Sequence, residues 1–172
     1  MILEKEIVYR EPEIEDAQEI VEFYNRVGGE TTYLSFEGNE YPLDVEAQKA
    51  SIESTKKQIN SVMFLATVDG SIICIGTISS GMKIKARHCG ELGIVVAKEF
   101  QGQGIGSEMI RRLLAWSRGN GVTTRVQLDT RKDNEKAVEL YKKFGFEVEG
   151  DLKNTTLIDG TYYDLLVMGL ML

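Results

Sequence analysis

The sequence predicts a mixed α/β fold with a largely antiparallel sheet. Strand-like runs are joined by the turn dipeptides Asp69-Gly70 and Asp159-Gly160, each of which is typical of a hairpin. Between these hairpins, residues 91–130 read as a single strand–helix–strand unit. Together these observations predict the order β-α-α-β-β-β-α-β-α-β-β, with helices on both faces of the sheet and one domain over residues 1–172.

The N-terminal third is predicted to contain one strand and two helices. The expected elements are a strand at Ile7–Arg10, a helix from Glu11-Pro12-Glu13 to Gly28-Gly29, and a helix at Leu43–Asn60 with Asp44 as its N-cap. The segment between the helices, residues 30–42, is rich in aromatic residues. It is either a loop packed onto the domain through Tyr33, Phe36 and Tyr41 or a wall that faces the substrate.

The rest of the chain is predicted to alternate between strands and two further helices. The expected strands are Ser61–Val68, Ser71–Ser80, Glu91–Val96, Thr124–Thr130, Phe146–Leu152 and Tyr162–Leu172. One helix follows the glycines after Val96 and runs to about Arg118. The other, which Asp133 can cap, runs to Phe144, and Gly145 ends it.

Composition and charge exclude several classes of function. The net charge of −7 argues against nucleic acid as the main partner, because phosphate binding needs a cationic surface. No apolar run is long enough to cross a bilayer, and the first ten residues lack the basic and apolar regions of a signal peptide. Cys74 and Cys89 form no metal-binding or disulfide pattern, so we expect a cytoplasmic protein without a metal site.

The strongest functional signal lies in Glu91–Ser107. A strand there is followed by Gly102, Gly104 and Gly106 at the start of a helix, where accessible N–H groups favour an anion, typically a phosphate. A Walker A loop is excluded because no lysine follows Gly106. A dinucleotide fingerprint fits poorly, because it needs a glycine or alanine where Ser107 stands.

Two motifs resemble those of the GNAT superfamily of acyl-CoA-dependent N-acetyltransferases. QGQGIG at 101–106 matches Q/R-x-x-G-x-G/A, and residues 134–146 match N-x-x-A-x-x-x-Y-x-x-x-G-F. In the second motif, Asn134, Ala137 and Tyr141 share one helix face; without the glycine turn, core packing would be the simpler explanation of that face. The resemblance runs from about Val62 to the C-terminus and implies a sheet splayed between strands 4 and 5.

The resemblance also implies a binding site for acetyl-CoA as co-substrate. The pyrophosphate would lie on backbone amides of residues 101–107. The pantetheine arm would extend beside Ile94–Val96, with the thioester carbonyl polarised by a main-chain N–H near Val96. The implied cofactor-binding residues are Ile94, Val95, Val96, Gln101, Gly102, Gln103, Gly104, Ile105, Gly106, Ser107, Thr130, Asn134, Ala137, Leu140 and Tyr141.

The implied chemistry is direct attack of an amine on the thioester. Tyr141 would protonate the departing thiolate. Glu91 is the leading candidate for the base that removes the amine's proton through water, although an ordinary surface glutamate is the alternative for this position. Glu37 and Glu30 are weaker candidates for the base, and a nucleophilic role of Cys89 stays open.

The acceptor is less well defined than the donor. A small-molecule primary amine and a peptide amino terminus both fit, and the ending IDGTYYDLLVMGL resembles the branch that acetylates ribosomal proteins. An acyl-CoA-binding sensor without turnover is the alternative from another class. A homodimer through the C-terminal strands would cover the apolar run Leu165–Met168, although the monomer could also cover it.

Overall fold

The structure is a computed structural model that describes residues 5–172. The expectation that the first ten residues are not a signal peptide therefore lies partly outside the described residues. Its elements, in chain order, are β1 Ile7–Arg10, α1 Ala17–Glu30, α2 Val45–Lys56, β2 Val62–Val68, β3 Ser71–Ser80, β4 Cys89–Val96, α3 Ile105–Gly119, β5 Arg125–Arg131, α4 Glu135–Lys143, β6 Glu147–Ile158 and β7 Thr161–Met171. Short 3-10 turns precede α1 and α3. Within residues 5–172, no helix has the length and apolar character needed to span a membrane.

The strands form one seven-stranded sheet in the order β1-β2-β3-β4-β5-β7-β6. Every neighbouring pair is antiparallel except β4 and β5, which run parallel because α3 carries the chain from one to the other. The predicted order of elements and the predicted mixed sheet are therefore confirmed.

Two apolar cores cover the two faces of the sheet. One contains residues of α3 and α4 together with those of β2 to β5 and β7; Met109, Leu113 and Met168 are fully buried there. The other contains residues of α1 and α2, such as Ile20 and Ile52, packed against Leu65 and Ile75. We call these faces the α3/α4 face and the α1/α2 face. Because side chains alternate along a strand, each strand residue is assigned to one of them.

The prediction that Gly28-Gly29 ends the first helix is wrong, since α1 continues to Glu30. The two glycines instead allow close packing of the aromatic loop. A Cβ on Gly28 would lie 2.7 Å from the main-chain oxygen of Glu37, and one on Gly29 would lie 3.6 Å from the Cα of Gly38. The start of the helix also differs, because residues 14–16 form a 3-10 turn.

Three other boundaries differ from the prediction. The helix α2 is shorter than Leu43–Asn60, although Asp44 caps it as expected and accepts from the N–H of Ala47 at 2.8 Å. Asp133 does not cap α4; its carboxylate pairs with Arg131, and Asn134 is the N-cap. The strand β6 does not stop at Leu152 but continues to Ile158, because β7 supplies a pairing partner up to the Asp159-Gly160 turn.

Candidate active site

The parallel strands β4 and β5 separate soon after they meet. Their pairing is limited to Cys89–Glu91 on β4 and Arg125–Gln127 on β5, yet β4 continues to Val96 and β5 to Arg131. Beyond the pair Glu91–Gln127, a gap therefore opens between the two strands. This is the splay between strands 4 and 5 that the family resemblance implies.

One edge of the gap presents unpaired backbone groups of β4. The N–H of Ala97 donates to the main-chain oxygen of Ile73 on β3 at 2.9 Å. Because successive N–H groups of a strand point to opposite sides, Val95 also directs its N–H to β3, whereas Ile94 and Val96 direct theirs into the gap. An extended chain lying in the gap could pair with these groups as an added strand does.

A loop rich in N–H donors lies where β4 ends. Gly102 and Gly104 have φ of +73° and +81°, in the left-handed region that favours glycine, and α3 begins directly after them. In the described part of the chain, none of the backbone hydrogen bonds uses an N–H between Gly102 and Ser107. These donors and the positive end of the helix dipole give the loop the features that favour binding of an anion.

We call residues 101–107 the phosphate loop. Its first residue, Gln101, connects it to β4. Its side-chain amide donates to the main-chain oxygen of Val96 at 3.2 Å. A second glutamine, Gln103, donates to the main-chain oxygen of Glu99 at 3.1 Å. The loop is therefore held against the end of the strand by side chains, while its own N–H groups stay available.

Residues of three elements line the gap on the α3/α4 face. A Cβ on Gly106 of α3 would lie 3.7 Å from the side chains of both Val96 and Leu140. Ile94, Ala137 and Leu140 are only partly buried against the core, and Thr130 on β5 is half-buried. Of the predicted cofactor-binding residues, Ile94, Val96, Gly106 and Leu140 thus lie together beside the gap. Val95 does not join them, because its side chain packs on the α1/α2 face.

Tyr141 lies on α4 behind this gap and is almost completely buried. Its ring packs edge-on against Phe146, with 5.9 Å between the ring centroids. Burial, together with the smaller effect of the nearby carboxylate of Asp129, raises the pKa of the Tyr141 hydroxyl to about 12. The hydroxyl therefore keeps its proton at neutral pH, which is the state that a proton donor requires.

Asn134 has a structural role that its position in the motif does not reveal. As the N-cap of α4, it accepts a hydrogen bond from the N–H of Ala137 through its side-chain oxygen, at 3.4 Å. The amide nitrogen of the same side chain remains as the group that could contact a ligand in the gap. The predicted contact of Asn134 with pantetheine can therefore use this nitrogen without loss of the cap.

Glu91 lies on the opposite face of the sheet from Tyr141. It is exposed at the last pair before the gap, next to Ser79 on β3 and Gln127 on β5. Two positions further along β4, Gly93 leaves the strand without a side chain, and Thr77 lies beside it; a Cβ there would be 2.9 Å from the hydroxyl oxygen of Thr77. The proton acceptor and the proton donor predicted from the sequence thus flank the gap from its two faces.

Two of the three aromatic residues in the segment 30–42 pack onto the domain, as the first interpretation predicts, and the third does not. Phe36 and Tyr41 pack against Tyr24, and the Tyr41 ring stacks on it at 4.5 Å between centroids. Tyr33 is 44% exposed and lies over Arg131 instead. The carboxylate of Glu30 is already hydrogen-bonded, because it accepts from the N–H of Lys98 at 3.1 Å.

Arg131 is the principal residue near the site that sequence reasoning missed. It is only 5% exposed, and its guanidinium contacts the main-chain oxygen of Thr32 at 2.7 Å. No local pattern predicts this contact, because the partners are 99 positions apart in the chain. The neighbouring acidic residue Asp133 is the one signal that could have drawn attention to it.

Both cysteines lie away from the open part of the gap. Cys74 is completely buried in the α3/α4 core, as predicted, and burial raises the pKa of its thiol to about 12. Cys89 is half-buried at the start of β4, beside the guanidinium of Arg125. It lies on the paired side of Glu91, away from the open part of the gap.

Comparisons with known proteins agree with this geometry. The model of the acetyltransferase (GNAT) family matches residues 21–146. The L-amino acid N-acetyltransferase AaaT of Escherichia coli is 30% identical over 104 residues, which cover 60% of this chain and 64% of that protein. The spermidine N(1)-acetyltransferase of Escherichia coli is 35% identical over 80 residues, which cover 45% of this chain and 42% of that protein.

The chain thus aligns with less than two thirds of the length of either curated relative. A solved structure matches much more completely. The crystal structure of a GNAT-family acetyltransferase from Streptococcus pneumoniae superimposes with a TM-score of 0.94 at 33% sequence identity, covering 97% of this chain and all of that one. On the family match, the splayed sheet and the phosphate loop, the chain belongs to the acetyltransferase (GNAT) family.

Proposed function

We propose that this protein is an acetyl-CoA-dependent N-acetyltransferase acting on a primary amine. The observation that carries this proposal is the row of N–H donors from Gly102 to Ser107, placed at the end of a strand that borders an open gap. A pyrophosphate with an extended amide-bearing arm matches both features, because the loop binds the anion and the gap binds the arm. Both curated relatives described above are N-acetyltransferases of amines.

The proposed binding mode places the anionic part of acetyl-CoA on the N–H donors of the loop and its extended arm in the gap. The pyrophosphate contacts the loop of residues 101–107, and the pantetheine arm runs back along β4 beside Ile94 and Val96. One of the N–H groups of this segment polarises the thioester carbonyl. Thr130, Ala137 and Leu140 supply the opposite wall.

In the proposed reaction, the nitrogen lone pair of the amine attacks the thioester carbon and the carbon–sulfur bond breaks. The sulfur leaves with the electron pair of that bond and takes its proton from Tyr141. The nitrogen loses one proton to Glu91 through water before the attack, since an alkyl ammonium with a pKa of about 10.4 cannot attack while protonated. It loses a second proton after the attack, and this proton restores the Tyr141 hydroxyl through solvent. Acid and base groups of this kind each contribute about 10²- to 10⁴-fold to the rate.

The acceptor is proposed to be a small amine, such as an amino acid or a polyamine. The activities of the two curated relatives cover both of these substrate classes. The exposed carboxylates of Glu91 and Asp129 on the two strands that border the gap favour a cationic substrate. A peptide amino terminus also fits an open site, so it belongs in any substrate screen.

The experiment is a screen for thiol release from acetyl-CoA. The panel contains L-amino acids, spermidine and other polyamines, and peptides with free amino termini. Turnover with at least one amine, with the acetylated nitrogen identified by mass spectrometry, is the expected result. Binding of acetyl-CoA without turnover across the panel would instead support the sensor alternative.

We further infer that one GNAT domain spans the 172 residues, and that the protein works in the cytoplasm without a resident metal. A homodimer through the C-terminal strands is a proposal in the same sense. Within the run Leu165–Met168, Leu166 and Met168 are already buried in the chain, so a dimer would cover Leu165 and Val167 of that run. Sedimentation at micromolar concentration tests for a dimer.

A further inference from the structure

A short segment after α1 connects the two strands that the gap separates. The carboxylate of Glu30 accepts from the N–H of Lys98, directly after β4. Two residues later, the main-chain oxygen of Thr32 accepts from Arg131, the last residue of β5. Because β4 and β5 are no longer paired at these ends, residues 30–33 cross the open end of the gap. We call this segment the strap.

Arg131 is the anchor of the strap on β5, and its guanidinium is already engaged. It makes a bidentate ion pair with Asp133, at 2.7 and 3.0 Å. The rings of Tyr33 and Tyr163 pack against it, with their centroids 5.0 and 3.9 Å from its central carbon. A guanidinium with its fork occupied and these rings packed against it is poorly placed to receive a substrate carboxylate, so its role is to hold the strap.

The rest of the aromatic loop has anchors of its own. Tyr41 donates its hydroxyl to Gln48 at 2.6 Å, and its N–H donates to the side-chain oxygen of Asn25 at 3.0 Å. Phe36 packs against Tyr24 and Tyr41. Loss of Arg131 should therefore release the strap and its immediate neighbours but leave residues 36–41 in place.

The strap lies on the side of the sheet from which the amine would approach. Along β5, Gln127, Asp129 and Arg131 share one face, and Gln127 is paired with Glu91. The strap, the exposed ring of Tyr33 and the carboxylate of Glu91 are thus all on the α1/α2 face. Arg131 is four residues along β5 from Gln127, so the strap borders the gap on the face from which an amine would reach Glu91.

We propose that Arg131 is a positioning residue for the acceptor: it fixes the strap over the end of the gap, and Tyr33 on the strap borders the acceptor amine. This inference rests on the proposed N-acetyltransferase activity. It concerns the acceptor side alone, because none of the contacts of Arg131 involves the phosphate loop or β4. Loss of Arg131 leaves the contact of Glu30 with Lys98 in place, so it should affect the acceptor and spare the donor.

The test compares Arg131→Gln, Arg131→Lys and Tyr33→Ala with the matched control Arg125→Gln. Arg125 is also on β5 and also makes an ion pair, with Glu149, but it lies far from the strap. We expect the three strap variants to raise the KM of the acceptor at least about tenfold. The Kd of acetyl-CoA should stay within about twofold of the wild-type value, and Arg125→Gln should change neither constant.

Arg131→Lys separates geometry from charge, since lysine keeps the charge but has no planar fork. Wild-type acceptor KM in Arg131→Lys, or a parallel loss of acetyl-CoA affinity in the strap variants, would overturn the proposal. Tyr33→Ala removes an exposed side chain, so it keeps the test valid if the Arg131 variants do not fold.

Amide hydrogen exchange gives a readout that does not depend on turnover. We expect faster exchange at residues 31–35 in Arg131→Gln than in Arg125→Gln, with residues 36–41 unchanged. Equal exchange at residues 31–35 would overturn the role of Arg131, whatever the activity. If exchange is faster but the wild-type protein is inactive, the role of Arg131 as an anchor of the strap stands. The acetyltransferase proposal, and with it the acceptor role, would then be refuted.

Discussion

Glu91 of β4 and Gln127 of β5 form the last residue pair between the two parallel strands. Up to this pair the sheet is continuous, and beyond it the strands separate, which opens the gap that the proposed function requires. The phosphate loop and the strap both lie beyond this pair, towards the C-terminal ends of β4 and β5. The position of Glu91 at the start of the gap is also the structural reason to consider it as a base.

Gly104→Ala tests the phosphate loop. Alanine is strained at φ +81°, so we expect a loss of about 1 kcal/mol in the free energy of unfolding and at least about a tenfold loss of acetyl-CoA affinity. Gly160→Ala is the matched control, because Gly160 has φ +78° and equally open surroundings but lies in the β6–β7 turn. Equal acetyl-CoA affinities in the two variants, measured by calorimetry, would remove the loop from the binding site.

Tyr141→Phe tests the proton donor. We expect turnover to fall about 10²-fold or more, because the leaving thiolate then lacks its acid. The Kd of acetyl-CoA should change little, since the ring and its packing against Phe146 are retained. Thiol release and calorimetry measure the two quantities separately. Unchanged turnover in a folded variant would show that the sulfur takes its proton from another group.

The same variant has a predicted effect on stability at alkaline pH. The pKa of Tyr141 is raised to about 12 in the folded protein, against about 10 when unfolded. Its contribution is therefore complete below pH 10 and is lost as the pH rises towards 12, because the unfolded state ionises first. The wild-type protein should lose about 2 kcal/mol more than Tyr141→Phe between pH 9 and pH 12. Urea unfolding across this range measures the difference, and parallel curves would mean that the hydroxyl is not buried as described.

Glu91→Gln tests the base. If Glu91 accepts the proton of the amine, the variant should lose rate at neutral pH and recover part of it at higher pH, where more of the amine is already neutral. The pH–rate profile would then move towards alkaline pH. Glu53→Gln, an exposed change on α2, serves as the control. Superimposable profiles for Glu91→Gln and the wild-type protein would assign the base elsewhere.

The features predicted correctly from the sequence depend on local signals. The hairpin dipeptides Asp69-Gly70 and Asp159-Gly160 and the glycines after β4 need particular backbone conformations, so short patterns identify them. The family resemblance then supplied the splay, which no short pattern encodes because it depends on where two distant strands stop pairing.

The incorrect predictions depend on tertiary contacts. Gly28 reads as a helix end, yet it serves the close approach of Glu37. Asp133 and Asn134 are equally good caps by residue type, and the choice between them is decided by Arg131, which takes the carboxylate. The strap could not be predicted for the same reason, since each of its anchors joins segments far apart in the chain.

The central claim is that the phosphate loop and the gap together bind acetyl-CoA, and calorimetric titration of the purified protein with acetyl-CoA tests it most directly. We predict saturable binding with one site per chain and a Kd in the micromolar range, near −8 kcal/mol. The absence of binding heat up to high micromolar acetyl-CoA would contradict the account at its foundation.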